Sequence, residues 1–308
     1  MKYIRNTTDF YIEEDTVISL GKFDGIHRGH ELLLEHLAAK GEEGLAKVAF
    51  TFDIPPRKSV EHVAAKVLTT NEEKMQMFER IGLDYLVECP FTKEVMSMEP
   101  EDFIEKIVRQ LHVKWIVVGK DFHFGHNRRG DYQMLQEYQT QYGYKVEVVE
   151  KIKEDGRDIS STYVREEITA GNMEKANHLL GYHYFVTSMV KHGNQIGRRI
   201  GIPTINQLPP EEKLLPPNGV YVTEVSIDEK LYRGITNVGC KPTIEGKNPI
   251  GVETHLLDFK EDLYDKIVTV EFLSRVREER KFASIDALKE QMQNDIAFGR
   301  AYFQKNIT

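Results

Sequence analysis

The rhythm of the apolar residues changes once along the chain, and the two rhythms cannot be served by one core. Up to about residue 150, short apolar runs at 17–20, 47–50, 85–87, 115–118 and 146–149 alternate with amphipathic stretches that begin near His30, Asn71, Glu101 and Asp131. This is the pattern of βαβ units on a parallel sheet. After residue 183 the pattern becomes one of alternating strands, at 185–190, 220–227, 231–238, 252–259 and 267–272, punctuated by turn residues such as Pro216-Pro217-Asn218-Gly219. The expected fold is therefore α/β, a doubly wound parallel-sheet domain over residues 1–182, followed by an all-β, six-stranded barrel-like domain over residues 183–308. The boundary is expected near residues 181–184, after the helix-ending Gly181. A closing helix is expected from about Ser284, its N-cap, with Ile285, Leu288, Met292 and Ile296 on one apolar face.

At 308 residues the chain is about twice the usual single-domain length. It carries a net charge of -8, with a pI near 5.8 and a mean hydropathy of -0.45. An acidic chain is a poor general nucleic-acid binder, which needs a basic surface to displace counterions. Apolar runs such as 115–118 are far shorter than the roughly 18–20 residues that cross a bilayer. Residues 1–15 are mixed polar and charged and do not read as a signal peptide. Cys89 and Cys240 stand far apart with no CxxC partner, so they are expected to be small buried hydrophobes of a reducing compartment, the cytoplasm. Nothing in the sequence sets an oligomeric state.

Ligands of parallel sheets bind beyond the carboxyl ends of the strands. Three unusual loops, at 21–30, 53–58 and 119–130, each follow a strand and should line that edge. The first reads GKFDGIHRGH and joins a strand to a helix. Gly21, Gly25 and Gly29 let the backbone turn and approach a phosphate, with Phe23 and Asp24 in the same loop, and the helix N-terminus offers free N–H donors. His27 and His30 add donors for charge that develops as pyrophosphate leaves. A surface turn with helix-capping histidines is the plain alternative for a lone histidine, but the HxGH pair after the first strand favours nucleotide binding. Zinc lacks further ligands at a familiar spacing. Farther on, Ser160, Ser161, Thr162 and Arg165 would complete a phosphate cradle, although an ordinary Ser/Thr helix cap is the commoner use of such residues.

In the β half, the glycine-rich stretch 193–201 leads into Pro203-Thr204-Ile205-Asn206 and lacks the ending of a Walker loop. In extended chain Thr204 and Asn206 project to one face, where a hydroxyl and an amide oxygen could meet on Mg²⁺ and ATP phosphates; a polar edge strand is the alternative. Glu253, in an otherwise apolar strand, is either a solvated glutamate or a general base.

The stretches GKFDGIHRGH, VVGKDFHFGHNRRGD and ISSTYVR resemble the adenylyltransferase module of prokaryotic bifunctional riboflavin kinase/FAD synthetases, one of the HxGH nucleotidyltransferases. The resemblance implies transfer of the AMP part of ATP to FMN, with Mg²⁺, to give FAD and pyrophosphate. It implies phosphate contacts from His27 and His30 and a flavin and nucleotide loop containing Asp121, Phe122, Asn127, Arg128 and Asp131, with core packing an equal alternative for Phe122 and Phe124. One departure stands out: where the family shows Pro-His-Pro after the second strand, this chain has Phe52-Asp53-Ile54-Pro55-Pro56-Arg57. GRRIGIPTIN, LLPPNGVYVTEV, GITNVGCKPTI, VETHLLDFKEDLYDKIVTVEFL and RVREERKF are similar to the family's riboflavin kinase module. That similarity implies ATP-dependent phosphorylation of riboflavin, Thr204 and Asn206 as the Mg²⁺ and phosphate ligands, Glu253 as base, Gly197 and Arg198 over the nucleotide, and Arg277 near the flavin. The expected ligands are riboflavin, FMN, FAD and ATP. A chain with only its kinase active, FAD synthesis being weak or absent, and a flavin-binding regulator are the two alternatives.

Overall fold

A computed structural model describes residues 1–53, 66–193, 196–228, 230–240 and 249–306. The chain divides into two compact units, Met1–Ser161 and Thr162–Thr308. The first begins β1 (Lys2–Arg5), β2 (Thr16–Leu20), α1 (Arg28–Gly41), β3 (Ala46–Asp53), α2 (Asn71–Ile81), β4 (Tyr85–Pro90), α3 (Lys93–Met96), α4 (Pro100–Gln110) and β5 (Val113–Gly119). It continues β6 (His123–Phe124), β7 (Gly130–Asp131), α5 (Tyr132–Glu137), α6 (Gln139–Tyr142), β8 (Lys145–Val149), β9 (Lys153–Glu154) and β10 (Arg157–Asp158). A helix α7 (Ser161–Ala170) starts where the units divide, and α8 (Met173–Leu180) follows it. The second unit then runs β11 (Tyr184–Lys191), α9 (Ile196–Arg199), β12 (Ile205–Gln207), β13 (Gly219–Ile227), β14 (Lys230–Cys240), β15 (Ile250–Leu256), β16 (Ile267–Glu278) and α10 (Ile285–Lys305).

The six long strands of the first unit form one sheet in the order β1-β4-β3-β2-β5-β8, and every neighbouring pair is parallel. Period-two alternation divides its core into two layers. Ile18, Leu20, Ile116 and Val118 pack on one face with Ile104 and Ile107 of α4. Val17, Ala49, Leu86 and Val117 pack on the other with Leu33, Leu34 and Leu37 of α1 and Phe78 of α2. Strands covered on both faces read as continuous apolar runs, and all five residues of β2 are buried. Local signals fix the helix ends: Thr70 and Glu73 form a capping box at α2, which Gly82 closes at φ 83°.

The second unit contains a closed barrel, ordered β11-β12-β15-β14-β13-β16, with α10 against its wall. Its interior is filled. Thr223, Thr236 and Thr254 are fully buried, with 2.8 Å hydroxyl–hydroxyl hydrogen bonds from Thr223 to Thr236 and from Thr236 to Thr254. Ser284 caps α10, its hydroxyl accepting from the Ala287 N–H at 3.1 Å.

The expected architecture is observed, with four differences in detail. β1, a half-exposed edge strand, and the three-residue β12 have too little alternation to register as strands. The expected strand 252–259 ends at Leu256. Cys89 is buried but Cys240 is exposed, because it lies at the end of β14. Ile285 is 64% exposed at the first turn of α10. Residues 54–58 of the second edge loop lie outside the described residues. Leu37→Ala, at a fully buried position in α1, should lower the stability of the first unit by about 2–5 kcal/mol in urea unfolding.

Candidate functional sites

Because all six strands of the sheet run the same way, the loops after β2 and β5 open on one edge. The strand order reverses at β2, with β3 and β4 on one side and β5 and β8 on the other, so these two loops flank the switch point.

The loop after β2 is rigidly held. Phe23 is fully buried and packs edge-on against Phe78. The Asp24 carboxylate accepts the backbone N–H groups of Leu68 at 2.8 Å and Thr69 at 3.1 Å. Ser161 donates its hydroxyl to the Asp24 carbonyl at 2.8 Å. Gly25 sits at φ +84°, where a Cβ would lie 2.6 Å from Leu68, so both conformation and space demand glycine. The loop delivers His27 as the N-cap of α1, yet its side chain makes no capping hydrogen bond. A purely helix-capping role for this histidine is thereby excluded.

The His27 and His30 rings stack at 3.9 Å. The Nδ1 atoms of both are buried without a hydrogen-bond partner, and buried polar atoms of this kind call for a ligand. Burial pushes His27 down to about 4; burial, then the charges of His27 and Lys74, holds His30 well below the usual range. Both are neutral imidazoles near pH 7, each still carrying one N–H.

In the loop after β5, Asp121 is paired at 3.0 Å with Lys151, which follows β8 and also reaches Asp158 at 3.2 Å. Phe124 is buried and Phe122 half-buried, their rings stacked at 5.6 Å, so packing accounts for Phe124. Asn127 and Arg128 are exposed at positive φ, 53° and 58°, consecutive strained residues of the sort found at binding loops. Asp131 caps α5, accepting the Met134 N–H at 3.0 Å. Ser160 and Ser161 are the last residues of the first unit, while the exposed Thr162 and half-buried Arg165 lie on α7 in the second.

The second site is assembled by barrel register. Asn206 faces Glu253, Glu253 faces Asn237, Asn237 faces Val220, and Val220 faces Arg277, a single rung across five strands. Directly opposed residues in antiparallel strands share a face. This face is the outer wall, so the cavity it borders, about 260 Å³, lies between the barrel and α10. Gly197, Thr204, Glu253 and Arg277 line it, as do Asn237 and, from α10, Leu288, Met292, Asp295 and Ile296. Asn206 is buried at the end of the rung, and the exposed Arg198 does not line the cavity. Gly197 is needed for close approach: a Cβ would lie 2.3 Å from the Ile202 carbonyl oxygen. Gly193 likewise makes room for the Asn206 side chain, which a Cβ would meet at 2.6 Å. Thr204, Asn206 and Glu253 together offer a hydroxyl, an amide and a carboxylate, the oxygen donors a hard divalent cation takes. Arg277 is held by Asp295, its Nε at 2.9 Å and Nη2 at 2.7 Å from the carboxylate.

A family model for FAD synthetase matches residues 10–163, and one for riboflavin kinase matches residues 180–303. The chain belongs to the bifunctional riboflavin kinase/FMN adenylyltransferase family. Relatives of that name include one from Pseudomonas fluorescens, 36% identical over 92% of each chain, one from Escherichia coli K12, 35% identical over 94% of each, and one from Bacillus subtilis, 34% identical over 94% of this chain and 92% of its own. A solved structure from Streptococcus pneumoniae, described as a macrolide-efflux protein, is 31% identical and matches with a TM-score of 0.86 over 97% of this chain and 98% of its own. Among the described residues no helix of this family member is long and apolar enough to cross a membrane.

Three polar residues escaped the sequence reading of this family member. Asn237 and Asp295 line the barrel cavity, and Lys74 is buried on α2 with its charge reaching His30. Two had a signal in the pattern. Lys74 lies four residues before Phe78, and Asp295 lies between Met292 and Ile296, so each puts a charge on an otherwise apolar helix stripe.

The unfolded chain takes up a proton at His27 near the ordinary value of 6.5, whereas the folded protein resists until about pH 4. The contribution of neutral His27 is therefore present above pH 6.5 and is lost as pH falls toward 4. His27→Gln should flatten the pH dependence of the urea midpoint over that window.

Proposed function

We propose that the cavity beside the barrel phosphorylates riboflavin and that the switch-point edge of the sheet adenylylates the FMN so formed. The chain is an enzyme with both activities, riboflavin kinase and FMN adenylyltransferase, and its substrates and products include riboflavin, FMN, FAD and ATP. The rung that brings Glu253, Asn206 and Arg277 onto one face of the barrel carries the assignment of residues to the first reaction.

In that reaction Glu253 accepts the proton of the ribityl 5′-hydroxyl as its oxygen attacks the γ-phosphorus, and ADP departs as the bond to the γ-phosphoryl group breaks. Thr204 and Asn206 would hold Mg²⁺, which would supply neutralisation of phosphate charge. Gly197 would lie over the nucleotide; for Arg198, outside the cavity lining, the support is the motif resemblance alone. Arg277, fixed by Asp295, orients the flavin, and Leu288, Met292 and Ile296 give it an apolar wall.

In the second reaction an FMN phosphate oxygen attacks the α-phosphorus of ATP and pyrophosphate leaves. His27 and His30 donate N–H groups to the phosphate oxygens, aided by the N-terminus of α1. Gly21, Gly25 and Gly29 allow the close approach. Phe23 and Asp24 act by holding the loop, and Asp121, Phe122, Asn127, Arg128 and Asp131 form the flavin loop. Lys74 adds a buried positive charge beside His30. For Thr162 and Arg165 the support is the motif resemblance alone.

The module boundary after residue 182 rests on Gly181, which ends α8 in the left-handed conformation, and on the start of the barrel at β11; the kinase family match begins slightly earlier, at residue 180. The cytoplasm is supported by two unpaired thiols. A chain with only its kinase active would rest on the altered 53–58 loop, of which residues 54–58 are outside the described residues; relatives named for both activities favour neither that nor a regulator.

Glu253→Ala should slow FMN formation by roughly 10²–10⁴-fold while conversion of supplied FMN to FAD continues. His30→Ala should do the reverse, slowing FAD formation by about 10²–10³-fold. Chromatographic separation of flavins reads both, and loss of both steps in either folded variant would contradict the division. Lys74→Met should reduce FAD formation and leave FMN formation unchanged.

A further inference from the structure

Away from both sites, three ligating side chains converge on the outer wall of the barrel. Glu224 of β13 and Glu271 of β16 face each other directly across the antiparallel pair. His183, just before β11, brings Nδ1 to 3.4 Å from the Glu271 carboxylate and 4.0 Å from that of Glu224. One donor atom from each of the three lies within 4.8 Å of the others, and no other group of three or more His, Cys, Asp or Glu among the described residues meets that condition.

Two carboxylates directly opposed on a sheet repel, and here both are largely shielded, at 22% and 28% exposure. Their surroundings only partly offset this. Arg233 faces Glu224 in register from β14, but its guanidinium lies over the Phe303 ring at 4.9 Å. Glu174 of α8 and Tyr302 of α10 approach the same patch and bring no positive charge. Burial and the neighbouring Glu271 push Glu224 up, and hydrogen bonding to Glu271 pushes His183 up. The cluster holds an excess of acceptors around one imidazole.

We propose that His183, Glu224 and Glu271 bind one divalent transition-metal ion of the zinc class, with a fourth position open to water. One imidazole nitrogen and two carboxylate oxygens form a borderline donor set that suits zinc, whereas magnesium prefers oxygen alone. Ligands about 2.0–2.2 Å from a tetrahedral ion stand about 3.3–3.6 Å apart. The His183–Glu271 pair is already at that spacing, and the remaining carboxylate reaches it by a rotamer change. Glu224 lies four residues along β13 from the Val220 rung, roughly 13 Å away, so this ion is separate from the metal of the kinase reaction. It would tie the start of β11 to β13 and β16.

The test uses the full-length protein, stripped with a chelator and titrated with Zn²⁺ by calorimetry and with Co²⁺ by visible absorption. The proposal requires one equivalent that weakens by at least about tenfold in both His183→Asn and Glu271→Gln, and that raises the thermal midpoint of the native protein but not of the variants. A variant of His27 and His30 should keep it. Absence of binding by the native chain, or binding unchanged in both barrel variants, would overturn the proposal. Glu271→Gln preserves shape, so the comparison survives if His183→Asn misfolds.

Discussion

A β-strand sends successive side chains to opposite faces, and that constraint organises both halves of the molecule. In the parallel sheet it separates Ile18 and Ile116 on one layer from Val17 and Val117 on the other, so a central strand such as β2 must be buried on both faces. In the barrel it separates the interior threonines 223, 236 and 254 from the outward rung of Asn206, Glu253, Asn237, Val220 and Arg277. A shift of one residue in β13 or β15 would bury the Glu224 or Glu253 carboxylate in place of a threonine. The register that stabilises the barrel and the register that gathers the site are the same.

Both reactions move a phosphorus centre of ATP, and neither needs an activated serine or cysteine. Positioning and neutralisation of charge are sufficient. In the proposed assignment the two sites meet that need by different means. At the sheet edge the donors are a helix N-terminus and two stacked histidines kept neutral by burial. Beside the barrel, in the same assignment, the oxygen atoms of Thr204 and Asn206 would hold the neutralising cation, with Gly193 and Gly197 leaving room for the close approach.

Much of this was legible in the sequence because it was written in short-range chemistry. The switch from helical to period-two rhythm marked two architectures, and the glycines and histidines of GKFDGIHRGH marked a strand-to-helix turn that could approach an anion. The remainder depended on long-range pairing. Asn237 enters its site only because β14 lies between β15 and β13, and no local pattern encodes that neighbour. Asp295 and Lys74 read as single polar interruptions of helix stripes until the elements that cover them are in place. Cys240 and Ile285 were misread because burial was inferred from residue type, whereas each sits at the end of its element. The position of the cavity on the outer wall of the barrel follows from where α10 packs.

The central claim, two chemically independent phosphate-handling sites in one chain, is tested most directly by mixing. Glu253→Ala and His30→Ala proteins, each unable to take riboflavin through to FAD, should together produce FAD from riboflavin, ATP and Mg²⁺ as free FMN made by one is consumed by the other. A mixture of the two folded proteins that yields no FAD would contradict the account.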